Sequence, residues 1–321
     1  VVYEVECEVN GFIYSIILYL ILIKNLFKMK ALVTGGAGFI GSNLVDSLID
    51  LNWDVIVIDD LSSEAHEQFY FNDKVEYHKV SIVNYDSIRP LFNGIDYVFH
   101  LAAESRIQPA INNPTYAVTV NTVGTCNVLQ CARESGVKRV IYSSTSSAYG
   151  LINEPPLVET MNDDCLNPYS VSKVSGEKLC KMYSDLFGLE TITFRYFNVY
   201  GPRQCTRGQY APVIGLFLRQ KENGEPMTVV GDGLQTRDYT HVNDVVRANI
   251  LAVDCKEGIG EVINIGTGKN YSVLDLVKLI GGDYIHIPPR IGESRFTKAN
   301  NDKAKRILNW TPTESLEDYL S

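Results

Sequence analysis

The stretch from Met29 to Asp60, MKALVTGGAGFIGSNLVDSLIDLNWDVIVIDD, constrains the fold more than any other part of the chain. Lys30 to Thr34 is a short apolar run with β-branched residues, the pattern of a strand buried on both faces in a parallel sheet. Gly35, Gly36, Gly38 and Gly41 follow at once, and Ile40, Leu44, Val45 and Leu48 then repeat at helical spacing. Val55 to Ile58 reads as a second buried strand with Asp59 at its C-terminal end, about 20 residues past the glycines. Strand, glycine turn, helix, strand and acid in this register make the fingerprint of a dinucleotide site.

Each residue type has a physical task there. The first glycines allow a turn that a Cβ would obstruct, Gly38 lets backbone approach a pyrophosphate, and Gly41 lets the helix pack closely on the strand. The N–H groups of the helix start, around Phe39 and Ile40, then face the phosphates. Asp59 is placed to accept hydrogen bonds from both hydroxyls of an adenosine ribose, and its charge repels a 2′-phosphate; the expected cofactor is NAD.

A chain of 321 residues with 45% hydrophobic content exceeds the size at which single cores tend to divide, so one large and one smaller domain are expected. The net charge of −9, with no basic run, argues against a nucleic-acid partner. The seven cysteines show no metal-ligand spacing, which points to reduced thiols in the cytoplasm and to no metal.

Residues 1–28 carry an apolar run from Phe12 to Ile23, broken only by Ser15. It is shorter than the ~20 residues of a spanning helix, acidic residues precede it, and no small-residue cleavage site follows. With a buried strand starting within a few residues of Leu26, the segment is expected to be an extension outside the domain rather than an anchor. Past Asp59 come Ser62 and a polar loop, then a short strand near Val75 to His78, with Ser81 and Ile82 where an adenine would lie. Tyr97 to Leu101 is the next strand, and Leu101, Ala102 and Ala103 at its end are small enough for a flat cofactor to lie against them. Pro114 to Glu134 reads as one long helix stopped by Gly136, and Arg139 to Tyr142 as a strand running into the hydroxyls of Ser143 to Ser147.

Tyr169 and Lys173 are spaced i, i+4, so a helix presents both on one face, and Pro168 suits its first turn. A tyrosine titrates near ~10 and is a poor base at neutral pH; a neighbouring ammonium and a positive nicotinamide ring both favour phenolate, and the lowering needed corresponds to about 4 kcal/mol. That pair is the candidate acid/base.

TGGAGFIG, HLAAES, SSTSSAYG, NPYSVSK, RYFNVYGPRQ and GDGLQTRDYTHVND together resemble the extended short-chain dehydrogenase/reductase family, and within it the nucleotide-sugar epimerases, from Met29 to the C-terminus. The resemblance implies that Tyr169 is the acid/base, that Lys173 orients the nicotinamide ribose and lowers the tyrosine pKa, and that Thr145 hydrogen-bonds the sugar 4-hydroxyl. It implies that Asn198, Arg237 and Arg290 hold a substrate diphosphate, a task that suits guanidinium forks, and that Thr297 walls the hexose pocket. Where the family usually has an aspartate contacting adenine, this chain has Ser81. Glu104, Ser105 and Arg106 lie beside the expected sugar pocket, with Arg106 either facing the substrate or pairing with Glu104.

The implied fold is α/β: a doubly wound parallel sheet of the Rossmann type over residues 29–195, with a return segment at 242–266, and a smaller C-terminal α+β substrate domain built mainly from 196–321. The implied reaction is 4-epimerisation of a UDP-hexose, UDP-glucose and UDP-galactose and also the N-acetyl pair because Thr297 is small. The implied assembly is a homodimer through the helices at 114–134 and 168–187. Three rivals are set against it. A 4,6-dehydratase is disfavoured, because Ser146 and Ser147 stand where such enzymes carry Asp-Glu. A UDP-glucuronate decarboxylase or another epimerase stays open. A non-catalytic NAD-binding protein is disfavoured because Tyr169, Lys173 and Thr145 are all kept.

Overall fold

The computed structural model describes residues 28–63, 68–206, 211–289, 292 and 294–321. The apolar run of residues 1–27, Arg290 and Glu293 therefore lie outside the described residues.

Seven strands form one parallel sheet: β1 (Lys30–Thr34), β2 (Asp54–Ile58), β3 (Glu76–His78), β4 (Tyr97–His100), β5 (Arg139–Thr145), β6 (Glu190–Tyr196) and β7 (Val262–Ile265). Their order is β7-β6-β5-β4-β1-β2-β3, every neighbour parallel. The order reverses between β1 and β4, which opens a crevice at their C-terminal ends. This is the doubly wound sheet expected from the alternation of apolar runs.

Both faces are covered, as a parallel sheet requires. Successive residues of β1 point to opposite sides. Ala31 and Val33 join Val57, Phe99 and Ile141 under helices α1 (Phe39–Asp50) and α5 (Val242–Ala252), whereas Leu32 joins Val98, Val140 and Tyr142 under α2 (Thr125–Glu134) and α3 (Pro168–Phe187). The first of these cores also takes in Ala304, Leu308 and Trp310, so the chain returns to the sheet a second time, after the return at β7. A separate core joins α4 (Val213–Glu222) and α6 (Val273–Ile280) through Phe217, Leu276 and Ile280. It also holds Met227 and Val229, whose strand Met227–Val230 pairs in parallel with Tyr284–Ile287. Among the described residues, no helix is long and apolar enough to cross a membrane.

The segment expected as one helix from Pro114 to Glu134 is interrupted. Pro114–Val118 is α-helical, Thr119–Gly124 is π-helical, and the α-helix resumes at Thr125. The widened turn seats Asn121, fully buried, where its amide reaches two other segments: its Oδ1 accepts from the Glu104 N–H (2.8 Å), and its Nδ2 donates to the Glu104 carbonyl and to Ser172 Oγ (both 2.9 Å). The Asn121 carbonyl accepts instead from Thr125 Oγ1 at 2.6 Å. Apolar periodicity cannot register such a break, because it is made by one amide side chain.

A Cβ on Gly41 would sit 2.1 Å from the Gly35 carbonyl oxygen and 2.8 Å from Gly36 Cα, both backbone atoms. Gly41→Ala is therefore expected to lower stability by about 1–3 kcal/mol, read as a lower midpoint in urea unfolding. An unchanged midpoint would show that the turn relaxes freely.

Candidate active site

The crevice holds a cleft of about 970 Å³ that runs from the glycine turn past Tyr169 to Arg237. At its first end Gly35, Gly38, Phe39, Ile40 and Gly41 line the wall, with Leu101, Ala102 and Ala103 opposite. Gly35 has φ +71°, its N–H donates to the Ile58 carbonyl at 2.7 Å, and a Cβ there would lie 2.8 Å from Ala102 N. The turn is thus pressed onto the end of β4, and only a residue without a side chain fits. The close contact at Gly41 is with this turn rather than with a strand, a correction to the packing expected from the sequence.

Asp59 bridges the turn and the next loop, its Oδ2 accepting from the Ala37 N–H (3.0 Å) and its Oδ1 from the Leu61 N–H (2.9 Å). Burial pushes its carboxyl above the ordinary range, and the two N–H groups pull against that. Ser62 Oγ donates to Asp60 Oδ1 at 2.5 Å. Val80 and Ile82 line the cleft here; Ser81 between them is not on its wall, and its Oγ accepts from the Val83 N–H at 3.5 Å.

Tyr169 and Lys173 stand on the first turns of α3. Asn167 caps that helix by accepting from the Ser170 N–H (2.9 Å), and Pro168 occupies its first position. Tyr169 lines the cleft, and Thr145 at the end of β5 is near enough to act on its phenol. Thr145 itself is buried behind the cleft wall formed by Ser144 and Ser146, its Oγ1 also accepting from the Ser147 N–H at 3.1 Å. Burial raises the Tyr169 pKa, Thr145 lowers it and Glu104 raises it again, with a net upward shift. Lys173 is not among the groups that act on it: the Lys173 ammonium lies over the Tyr142 ring, 4.4 Å from its centroid. The expected lowering of the phenol by its lysine neighbour is thus corrected, because desolvation outweighs the protein's own charges.

Burial also depresses Lys173, to about 7, against the upward pull of Cys180 and Glu177. Glu177 is one turn further along the same face of α3 and is buried with Arg195 of β6. Arg195 holds it with both Nε (2.9 Å) and Nη2 (2.7 Å), and Nη2 also reaches Asp163 at 2.6 Å. Ser144 Oγ donates to Glu177 Oε1 at 2.5 Å. One carboxylate thereby ties β5, β6 and α3 together directly behind Thr145 and Lys173. On the same face, its ring 5.5 Å from that of Tyr142, His100 is fully buried and held neutral by burial and by the Lys173 charge, with a pKa of about 3, and it bonds Thr34 Oγ1 (2.7 Å) and Thr125 Oγ1 (2.9 Å). The sequence assigns neither residue a role, although His100 is legible as part of the β4 end: an i, i+8 carboxylate and a strand-end histidine carry no signal until their partners are known.

At the far end the cleft meets a second cavity of about 280 Å³, and Asn198 and Arg237 line both. Asn198, at φ +28°, donates Nδ2 to the Asp238 carbonyl at 2.9 Å, and Arg237 Nη1 donates to the carbonyls of Thr236 (3.0 Å) and Arg295 (3.1 Å). Asp238, fully buried, fixes this corner by accepting from the N–H groups of Thr267, Gly268 and Ala299 at 2.9 to 3.0 Å. Thr297 is buried and lines the cleft, and its Oγ1 accepts from the Asp238 N–H at 3.3 Å. Asn167 Nδ2 donates to the Gly292 carbonyl at 2.9 Å, joining the start of α3 to the loop at Gly292. Arg290 lies outside the described residues.

The NAD dependent epimerase/dehydratase family matches residues 31–266. Three solved structures illustrate the likeness. The UDP-glucose 4-epimerase of Thermotoga maritima with UDP-glucose is 38% identical, with a TM-score of 0.86, and 91% of this chain and 96% of that one are covered. The UDP-N-acetylglucosamine 4-epimerase of Methanobrevibacter ruminantium with UDP-N-acetylmuramic acid is 32% identical at a TM-score of 0.85 and the same coverage. The UDP-glucuronic acid 4-epimerase of Bacillus cereus with UDP-glucuronic acid and NAD is 34% identical at 0.81, again with the same coverage. Three sugars at similar identity mean that likeness alone does not select one.

Because the Glu177 charge pulls the Lys173 pKa up against burial, Glu177→Gln is expected to move it further below about 7, so that the ammonium is lost at more acidic pH. An NMR titration of labelled lysine reads this directly; no movement, or movement upward, contradicts the coupling. The variant should also be about 3 kcal/mol less stable in urea, since it breaks a buried ion pair.

Proposed function

Because the chain belongs to the NAD dependent epimerase/dehydratase family, we propose that it interconverts UDP-hexoses epimeric at C4, with UDP-glucose and UDP-galactose as the reference pair. The observation that carries this reading is one continuous cleft with a dinucleotide cradle at one end, Tyr169 in the middle with Thr145 behind the wall beside it, and Arg237 with Asn198 at the junction to a second cavity. The cradle fits NAD: the turn at Gly35 and Gly41 leaves no room for a Cβ, and Asp59, just past the end of β2, lines the cleft. Held by the glycine turn and Asp59, NAD⁺ would supply the hydride acceptor and donor for C4.

Tyr169 takes the proton of the 4-hydroxyl and gives it back after the sugar has turned, while Thr145 holds that hydroxyl in line. Burial leaves the phenol protonated in the protein alone, so its release of a proton is coupled to positive charge arriving beside it. Lys173, buried next to it, orients the cofactor ribose. Arg237 and Asn198 hold the diphosphate, the second cavity receives the uridine, and the anchored end lets the hexose present either face. Thr297 leaves space for a 2-acetamido group, so the N-acetyl pair is included in the proposal.

Two copies would pair through the exposed faces of the helices around Val123, Val171 and Leu186, which are 47%, 47% and 68% exposed. The described cysteines are all free, which supports a cytoplasmic site of action.

Tyr169→Phe removes one oxygen and little else. It should bind NAD with unchanged affinity in calorimetry and lose about 100-fold or more in kcat on UDP-glucose. Activity within a few-fold of the parent would reassign the acid/base.

A further inference from the structure

Among the described residues, three cationic side chains line the cleft: Arg106, Lys173 and Arg237. Lys173 lies over Tyr142, and Arg237 donates to the carbonyls of Thr236 and Arg295 at the junction with the second cavity. Arg106 is different. It is half-buried, and among the described residues its guanidinium makes no hydrogen bond, ion pair or ring contact. The choice the sequence left open is thereby decided against the Glu104 pair. Only the Arg106 backbone N–H reaches Glu104 Oε1, at 3.3 Å.

The position of Arg106 separates it from both the adenosine end and the nucleotide end. It directly precedes the helix Ile107–Asn112, and Ile107 and Ile111 of that helix are the residues against which Gly292 of the substrate loop packs, together with Asn167. Glu104, two residues back, is near enough to Tyr169 to act on its phenol. Arg106 thus stands on the wall between the reacting hydroxyl and the substrate loop, where the hexose lies in the reading above.

We propose that Arg106 is a specificity residue that holds an anionic group carried by the hexose, so that the cleft accepts a UDP-hexuronate, with a carboxylate at C6, as well as a neutral UDP-hexose. The inference rests on the nucleotide-sugar reading. A half-buried guanidinium without a partner among the described residues invites an anion, and a carboxylate offers two oxygens that match its fork, whereas a hydroxymethyl group offers one neutral oxygen. The chemistry at C4 is unchanged: the same proton and hydride leave and return, and C6 takes no part.

The test uses the full chain with NAD, comparing kcat/KM for UDP-glucuronate and UDP-glucose in the parent, Arg106→Gln and Arg106→Lys, with products resolved by NMR. The parent should epimerise both. The ratio of the two kcat/KM values, uronate over neutral, should fall about ten- to a hundredfold in Arg106→Gln, the size of a charge-assisted hydrogen bond, and recover in part in Arg106→Lys. If both substrates fall together, Arg106 serves the diphosphate and the proposal is wrong. It is equally wrong if the parent converts UDP-glucose and leaves UDP-glucuronate untouched, an outcome that leaves the epimerase reading intact. A parent inactive on every UDP-sugar while NAD binds would remove that reading, and this inference with it.

Discussion

The site depends on how charge is buried along one face of α3. Tyr169, Lys173 and Glu177 follow each other at four-residue spacing, and each is removed from water to a degree that shifts or demands a partner. Glu177 is compensated by a two-nitrogen clasp from Arg195 and by Ser144, so its charge is fixed in place. Among the described residues Lys173 has no such partner, but the Tyr142 ring and the fields of Cys180 and Glu177, and its hold on a proton is correspondingly weak. The phenol is left neutral. On the function proposed above, a positive group entering the cleft would release the phenol's proton, coupling proton transfer to an occupied cofactor site.

The second constraint is steric. The crevice at the switch between β1 and β4 is narrow because the turn at Gly35 touches the end of β4 and α1 is pressed onto that turn at Gly41. Asp59 stitches the same turn to the loop after β2. Asn121, in its widened helical turn, does the corresponding work at the other wall, joining the Glu104 segment to Ser172 beside Lys173. Both walls are therefore set by backbone groups held by buried polar side chains, and the cleft is preorganised.

Much of this was legible in the chain. The strand, the glycine turn, α1 and Asp59 follow from local spacing, and so does the Tyr169 and Lys173 pair, because both depend on residues close in sequence. What escaped depends on distant partners. His100 gains meaning from Thr34 and Thr125, Glu177 from Arg195, Asp238 from residues 267–299, and the break at Asn121 from Glu104 and Ser172. The pKa of Tyr169 went the other way from expectation for the same reason: side-chain spacing gives proximity on a helix face, but the lysine's true direction is set by the Tyr142 ring from β5. Ser81 shows the reverse failure, since its neighbours line the cleft and it does not.

On the proposed function one carbon is oxidised and reduced within the cleft, its hydride never leaving the complex and its proton handled by Tyr169. Incubating the enzyme with UDP-glucose carrying deuterium at C4 tests this directly, with the recovered UDP-galactose read by proton NMR and mass spectrometry. The account predicts that the deuterium is retained at C4 of the product. Washout of the label to solvent, or its appearance at another carbon, would contradict it.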